Sequence, residues 1–188
     1  MPQAQWCMET PYIIIIAGPN GVGKTTFAAG LIRTYPACAA FVNADVIARD
    51  LETPSGVERN VRAGRIVLET IDALVAQRAS FMLETTLSGT TLAERLDAYR
   101  RMGYRVIIHY FYIGSIHLLH ERVALRVRQG GHDVPLEDQQ RRHLRSYSNF
   151  IQRYVGACDE WILYDARPSH PREIARGAYG GSQGPAHE

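Results

Sequence analysis

The stretch Ile13-Ile14-Ile15-Ile16-Ala17-Gly18-Pro19-Asn20-Gly21-Val22-Gly23-Lys24-Thr25-Thr26 decides how the rest of the chain is read. Four isoleucines in a row run into a glycine, the mark of a strand buried on both faces of a parallel sheet. Residues 18–25 then match G-x-x-x-x-G-K-[ST] at every fixed position. In that pattern the glycines let the backbone curl until several N–H groups converge on one anion. The helix that follows adds the positive end of its dipole. Gly18, Pro19, Asn20, Gly21, Val22, Gly23, Lys24, Thr25 and Thr26 are therefore the candidate phosphate-binding residues. Lys24 would reach the β- and γ-phosphates of a nucleoside triphosphate, and the Thr25 hydroxyl would ligate Mg²⁺.

Lys24 is the only lysine; the other twenty basic residues are arginine. A compact ammonium on a thin stem fits inside a loop wrapped round phosphates, where a flat guanidinium does not. The lone lysine also excludes a guanine-reading N-K-x-D motif. The protein-kinase set is absent as well: there is no H-R-D loop and no D-F-G.

Working outward, short β-rich runs alternate with helical patterns. The strands read as 12–17, 40–45, 80–86, 104–113 and 160–166. Between them lie helices at 24–35, at a long segment opened by the S-x-x-E box of Ser55 and Glu58, and at a second opened by Thr91 and Glu94. The long helix carries Val67, Ile71, Leu74 and Val75 at helical spacing. A helix over 115–129 stops at Gly130 and Gly131. Another runs from Pro135 to about Ala157, with Leu144, Tyr147, Ile151 and Tyr154 as its buried face. The expectation is an α/β P-loop NTPase with a mostly parallel central sheet of about five strands flanked by helices and a helical arginine-bearing lid. The 188 residues divide into a loose segment 1–10, a single domain 11–166 and a tail 167–188 without periodicity.

Composition narrows the class. The chain is 46% hydrophobic and 21% charged, enough for a real core, and its net charge of +2 is too small for a nucleic-acid platform. The apolar run ending at Ala17 is too short to span a bilayer, and no basic leader precedes it. Cys7, Cys38 and Cys158 form no C-x-x-C pair, which fits a reducing compartment, so a cytoplasmic location is expected.

Two acids follow apolar strands at the ends where ligands bind in open parallel sheets, Asp45 and Glu84. A kinase acting on a hydroxyl needs a carboxylate to accept or orient its proton, and Asp45 is the candidate base. Alternatively Asp45 merely caps the helix after it. Glu84 should face a metal-bound water, substrate or an arginine, or else form a structural ion pair. The arginines Arg122, Arg126, Arg128, Arg141, Arg142 and Arg145 flank a glycine turn that could close over a triphosphate. The alternative is ion pairing with Glu121, Glu137 and Asp138 on a solvated helix. Thr85, His132, Arg141 and Arg142 are placed near the substrate. His117 and His120 are read as structural.

Four ordered segments, AGPNGVGKTTFA, FVNADVIA, AGRIVLETIDALVAQRASFMLETTLSG and RVALRVRQGGHDVPLEDQQRRHLRS, together resemble the zeta toxin family of P-loop kinases across most of residues 12–147. The resemblance implies ATP- and Mg²⁺-dependent phosphorylation of a small hydroxyl substrate, in the best-known members UDP-N-acetylglucosamine, and an antitoxin as protein partner. By matched position it implies Lys24 and Thr25 on phosphate and metal, Asp45 as catalytic base, and Glu84 helping to hold the sugar. Phosphate-clamping arginines would fall among Arg122, Arg126, Arg128, Arg141 and Arg142. Two other readings stay open: an ATP-hydrolysing switch with no acceptor, and a kinase for a nucleoside, sugar or antibiotic hydroxyl.

Overall fold

The computed structural model describes residues 10–51, 56–130 and 135–178. Six strands form one sheet in the order β2-β3-β1-β4-β5-β6. They are β1 (Tyr12–Ala17), β2 (Cys38–Asn43), β3 (Ser80–Thr85), β4 (Arg105–Tyr112), β5 (Glu160–Asp165) and β6 (Arg172–Ala178). The first five are parallel, and β6 pairs antiparallel with β5. Among the described residues the helices are α1 (Lys24–Leu31), α2 (Ala44–Arg49), α3 (Gly56–Ala76), α4 (Thr91–Arg101), α5 (Ile116–Arg128) and α6 (Leu136–Asn149). A π-helical turn, Phe150–Tyr154, and a short 3₁₀ turn follow α6 directly.

The isoleucine run occupies the centre of the sheet, and alternate residues feed two cores. Ile13 and Ile15 pack with Val67, Ile71, Leu83 and Leu96 beneath α3 and α4. Ile14 and Ile16 pack with Ala28, Leu31, Met82 and Leu119 beneath α1 and α5. The two helices of the first layer are also pinned to each other. Asp72 on α3 accepts from the Tyr99 hydroxyl of α4 at 2.5 Å and pairs with Arg95. Burial and that donation to Asp72 push the Tyr99 phenol up to about 12.

Three expectations are corrected. Residues 172–178 of the expected loose tail form the edge strand β6. Its side chains are mostly exposed, so the segment has no apolar period; backbone pairing with β5 defines it. The cap of α4 is Thr90, one residue before the expected Thr91, and no side chain caps it; the Ser55 of the other box lies outside the described residues. Along α6 and the π turn after it, Tyr154 is buried as expected, but Leu144 is 74% exposed, Ile151 49% and Tyr147 37%. The buried face is instead Gln139, Ser146, Phe150 and Tyr154. Ser146 turns inward because its hydroxyl meets the Tyr110 hydroxyl at 2.8 Å. Phe150 follows because its ring stacks on Tyr110 at 4.3 Å.

Candidate active site

The phosphate loop leaves β1 at Ala17 and enters α1 at Lys24. Gly18 N–H donates to the Thr85 carbonyl at 3.3 Å, tying the start of the loop to β3. Gly21 sits at φ 88°, and a Cβ there would meet Val123 Cγ2 at 2.9 Å. Only a residue without a side chain lets the loop press this closely on α5, the helix that carries Arg122 and Arg126. Gly23 caps α1 at φ 92°, and a Cβ there would meet nothing within 4 Å. The N-terminus of α1 thus opens onto free space, where its N–H groups and dipole favour an anion. Asn20 and Lys24 are buried beside it, and Lys24 Nζ donates to the Pro19 carbonyl at 3.0 Å. Val22 belongs to the core and Thr26 stays exposed on the first turn of α1.

Glu84 meets this cradle from β3. It pairs in register with Ile16, so it stands on the α1 face of the sheet. There the Thr25 hydroxyl lies 2.9 Å and 3.1 Å from its two carboxylate oxygens. Glu84 is 5% exposed and forms no ion pair among the described residues. A buried carboxylate and a hydroxyl beside a phosphate cradle are hard oxygen donors of the kind Mg²⁺ takes, with phosphates and water filling its remaining positions. Among the described residues no group of three His, Cys, Asp or Glu side chains could hold a metal by itself, so His117 and His120 belong to no such cluster.

Thr85, the next residue, points to the opposite face. It lines a cavity of about 710 Å³ bounded by Ala44, Arg65, Leu68, Leu92 and the loop 86–89. The cavity lies between α3 and α4 at the carboxyl ends of β2 and β3. Asp45 follows Ala44 as the second residue of α2; its side chain lies outside the described residues. The cap of α2 is Asn43, whose Oδ1 accepts from Val46 N–H at 3.2 Å. The alternative in which Asp45 serves as that cap is thereby set aside.

A second cavity, about 580 Å³, opens on the other side of the loop, lined by Gly23, Thr26, Phe27, Arg122, Pro168 and His170. Its outer wall is held by Arg122, whose two terminal nitrogens donate to the Ala166 and Arg167 carbonyls, each at 2.6 Å. Arg167 in turn folds back on Asp165; its hydrogen bonds hold that carboxyl down at about 2. Arg122 therefore faces the loop after β5, a position different from a free phosphate clamp.

The remaining arginines divide. Arg126 is half-buried on α5 and Arg128 exposed at its end. Arg141 and Arg142 both approach Asp138, at 2.5 Å and 3.9 Å, ion pairs of the kind the solvated-helix alternative expects. His132 lies outside the described residues, as does the turn around it.

A family model described as "AAA domain" matches residues 13–149, from the first strand through α6. The chain belongs to this AAA-domain family. An uncharacterised protein of Haemophilus influenzae is 27% identical to this AAA domain over 131 residues, which cover 69% of this chain and 89% of the relative. A structure from the PezAT chromosomal toxin–antitoxin system of Streptococcus pneumoniae superposes with a TM-score of 0.62 at 13% identity, over 89% of this chain and 72% of the other. A gluconokinase of Sinorhizobium meliloti gives 0.55 at 16% identity, over 85% and 84%. At these identities the likeness shows the fold, a P-loop kinase-like domain.

Several residues that shape the AAA-domain site escape motif reading. Arg65 and Ser88 line the larger cavity, Pro168 and His170 the smaller, and Asn149 and Tyr154 hold the loop 86–89. The one usable signal was Phe81-Met82-Leu83-Glu84, an acid closing an apolar strand. No helix among the described residues is long and apolar enough to cross a membrane. Cys38 and Cys158 are free thiols that burial pushes up to about 11 and about 12, well away from reactivity at neutral pH.

Proposed function

We propose that the chain is an ATP- and Mg²⁺-dependent kinase that phosphorylates the hydroxyl of a small molecule seated in the 710 Å³ cavity. The observation that carries the reading is the placement of consecutive residues of β3 on opposite faces. Glu84 joins Thr25 at the phosphate cradle, and Thr85 lines the cavity. A nucleotide switch would need the first and has no use for the second. The smaller cavity takes the nucleoside end of ATP.

In this reading Asp45 accepts the proton of the acceptor hydroxyl. The acceptor oxygen bonds to the γ-phosphorus as the bond from that phosphorus to the bridging β–γ oxygen breaks. ADP leaves, and the proton passes from Asp45 to solvent. Lys24, the loop N–H groups and Arg126 meet the charge that spreads over the transferring group. Arg128, Arg141 and Arg142 are the further candidates for that role. Thr25 and Glu84 would hold Mg²⁺, which would supply charge screening of the phosphates.

The acceptor is the finer question. A nucleotide sugar such as UDP-N-acetylglucosamine follows from the zeta toxin resemblance and would bring an antitoxin partner with it. A gluconate-like sugar or a nucleoside follows from the broader kinase fold. The test is incubation with ATP and a panel of nucleotide sugars, sugar acids and nucleosides, read by mass spectrometry. The expected result is a gain of one phosphate on one acceptor class, cut at least about a hundredfold by Asp45→Asn. ADP release with no modified acceptor across the panel would favour the switch instead.

A further inference from the structure

We propose that Asn149 and Tyr154 are positioning residues that set the wall of the acceptor cavity and couple it to the arginine-bearing helix α6. The proposal rests on the kinase reading above and names how its two halves are joined.

The wall in question is the loop 86–89 between β3 and α4, of which Leu87, Ser88 and Gly89 line the cavity. Leu87 is held at φ 52° while 1% exposed. A bulky side chain adopts that left-handed conformation only where its surroundings over-determine it, and such residues gather at ligand sites. Two restraints are local. Leu87 N–H donates to Thr85 Oγ1 at 3.2 Å, and the Thr86 and Ser88 hydroxyls meet at 2.9 Å. Two come from more than sixty residues away. Asn149 Nδ2 donates to the Leu87 carbonyl at 2.8 Å, and the Tyr154 hydroxyl donates to the Gly89 carbonyl at 2.8 Å.

Both distant donors sit where α6 ends. Asn149 is its last residue, and Tyr154 closes the π-helical turn that continues it. A π turn inserts an extra residue per turn and re-aims the side chains beyond it, which is why such turns mark functional positions. Here it brings both Phe150 and Tyr154 into the core, the first stacked on Tyr110. Arg141 and Arg142 stand in the middle of the same helix, about two turns before Asn149. The helix is one rigid element that carries both these arginines and the grip on the cavity wall. A shift of α6 toward a triphosphate is therefore felt at Leu87 and Gly89, and filling the nucleotide site firms the wall against which the acceptor is placed.

Amide hydrogen exchange on the full chain tests this, with Mg·AMP-PNP as the probe. In the wild type, exchange at residues 86–90 slows when Mg·AMP-PNP binds. Tyr154→Phe keeps the ring and removes the donor, and Asn149→Ala removes the other. Each speeds exchange at 86–90 about tenfold, as loss of one hydrogen bond implies. In each, Mg·AMP-PNP still binds but no longer slows these amides, an effect that loss of packing alone would not produce. Should Tyr154→Phe fail to fold, Asn149→Ala decides. Equal nucleotide-dependent slowing in wild type and variants would overturn the proposal, as would no slowing in a wild type that binds the nucleotide. Failure of the wild type to bind Mg·AMP-PNP would instead overturn the kinase reading, and the coupling with it.

Discussion

The Thr25 hydroxyl of α1 lies within hydrogen-bonding distance of both carboxylate oxygens of Glu84, at 2.9 Å and 3.1 Å, across the seam between β1 and β3. Glu84 is buried there without an ion-pair partner among the described residues. A carboxylate so placed costs stability until a cation arrives. Glu84→Gln is therefore expected to stabilise the metal-free protein by about 1–2 kcal/mol, a rise of a few degrees in Tm. The same change should raise the Mg²⁺ requirement and cut ATP turnover by about a hundredfold or more. Calorimetry without metal and a Mg²⁺ titration of turnover check the two halves separately.

The glycines of the loop should separate folding from binding. A Cβ at Gly21 would meet Val123 at 2.9 Å, so Gly21→Ala must push α5 away and should cost about 2 kcal/mol or more of stability. A Cβ at Gly23 meets nothing. Gly23→Ala should cost about 1 kcal/mol for its backbone alone, yet it is expected to abolish nucleotide binding, because its methyl group stands in the open space at the N-terminus of α1. Urea melts and nucleotide titrations of the two variants distinguish the effects.

His109 gives the fold an acid limit. Burial pushes its imidazole down to about 4, against an ordinary 6.5, with Glu173 raising it and Arg176 lowering it. Its Nδ1 meets the Tyr164 hydroxyl at 3.1 Å, and its buried Nε2 has no hydrogen-bond partner among the described residues. Between pH 6.5 and 4 the unfolded chain holds the extra proton, so stability falls as pH falls through that window, by about 3 kcal/mol in all. Above pH 6.5 this contribution is constant. His109→Leu should remove that part of the slope, measured by denaturant unfolding at pH 7.5, 6 and 4.5.

Arg122 should behave as a wall residue. Its paired donations to the Ala166 and Arg167 carbonyls hold one side of the smaller cavity. Arg122→Lys gathers its donors on one nitrogen and loses the planar fork that spans the two carbonyls. It should raise the KM for ATP about tenfold and leave kcat close to the wild type. A fall in kcat at unchanged KM would place Arg122 on the transferring phosphoryl group instead.

How far the sequence could be read depends on what each element is held by. The isoleucine strand and the loop after it are local objects: burial and glycine chemistry lie in consecutive residues, and both were legible. Glu84 was legible as an important acid, but its partner depends on the register that sets it beside Ile16. β6 was invisible because its side chains are mostly exposed and it is defined by backbone pairing. The inward face of α6 was misread because Ser146 and Gln139 are polar, and only the hydroxyl of Tyr110 explains why Ser146 points inward. Tyr154 was legible as a buried residue, but the grip of Asn149 and Tyr154 on the loop 86–89 carried no signal, since their partners there are main-chain carbonyls more than sixty residues away.

The central claim is that the cradle closed by Lys24 binds the phosphates of Mg·ATP. Isothermal titration of the purified protein tests it directly. The account predicts saturable heat with one site per chain, lost in a folded Lys24→Ala variant. No heat from the wild type, or equal affinity in Lys24→Ala, would contradict it.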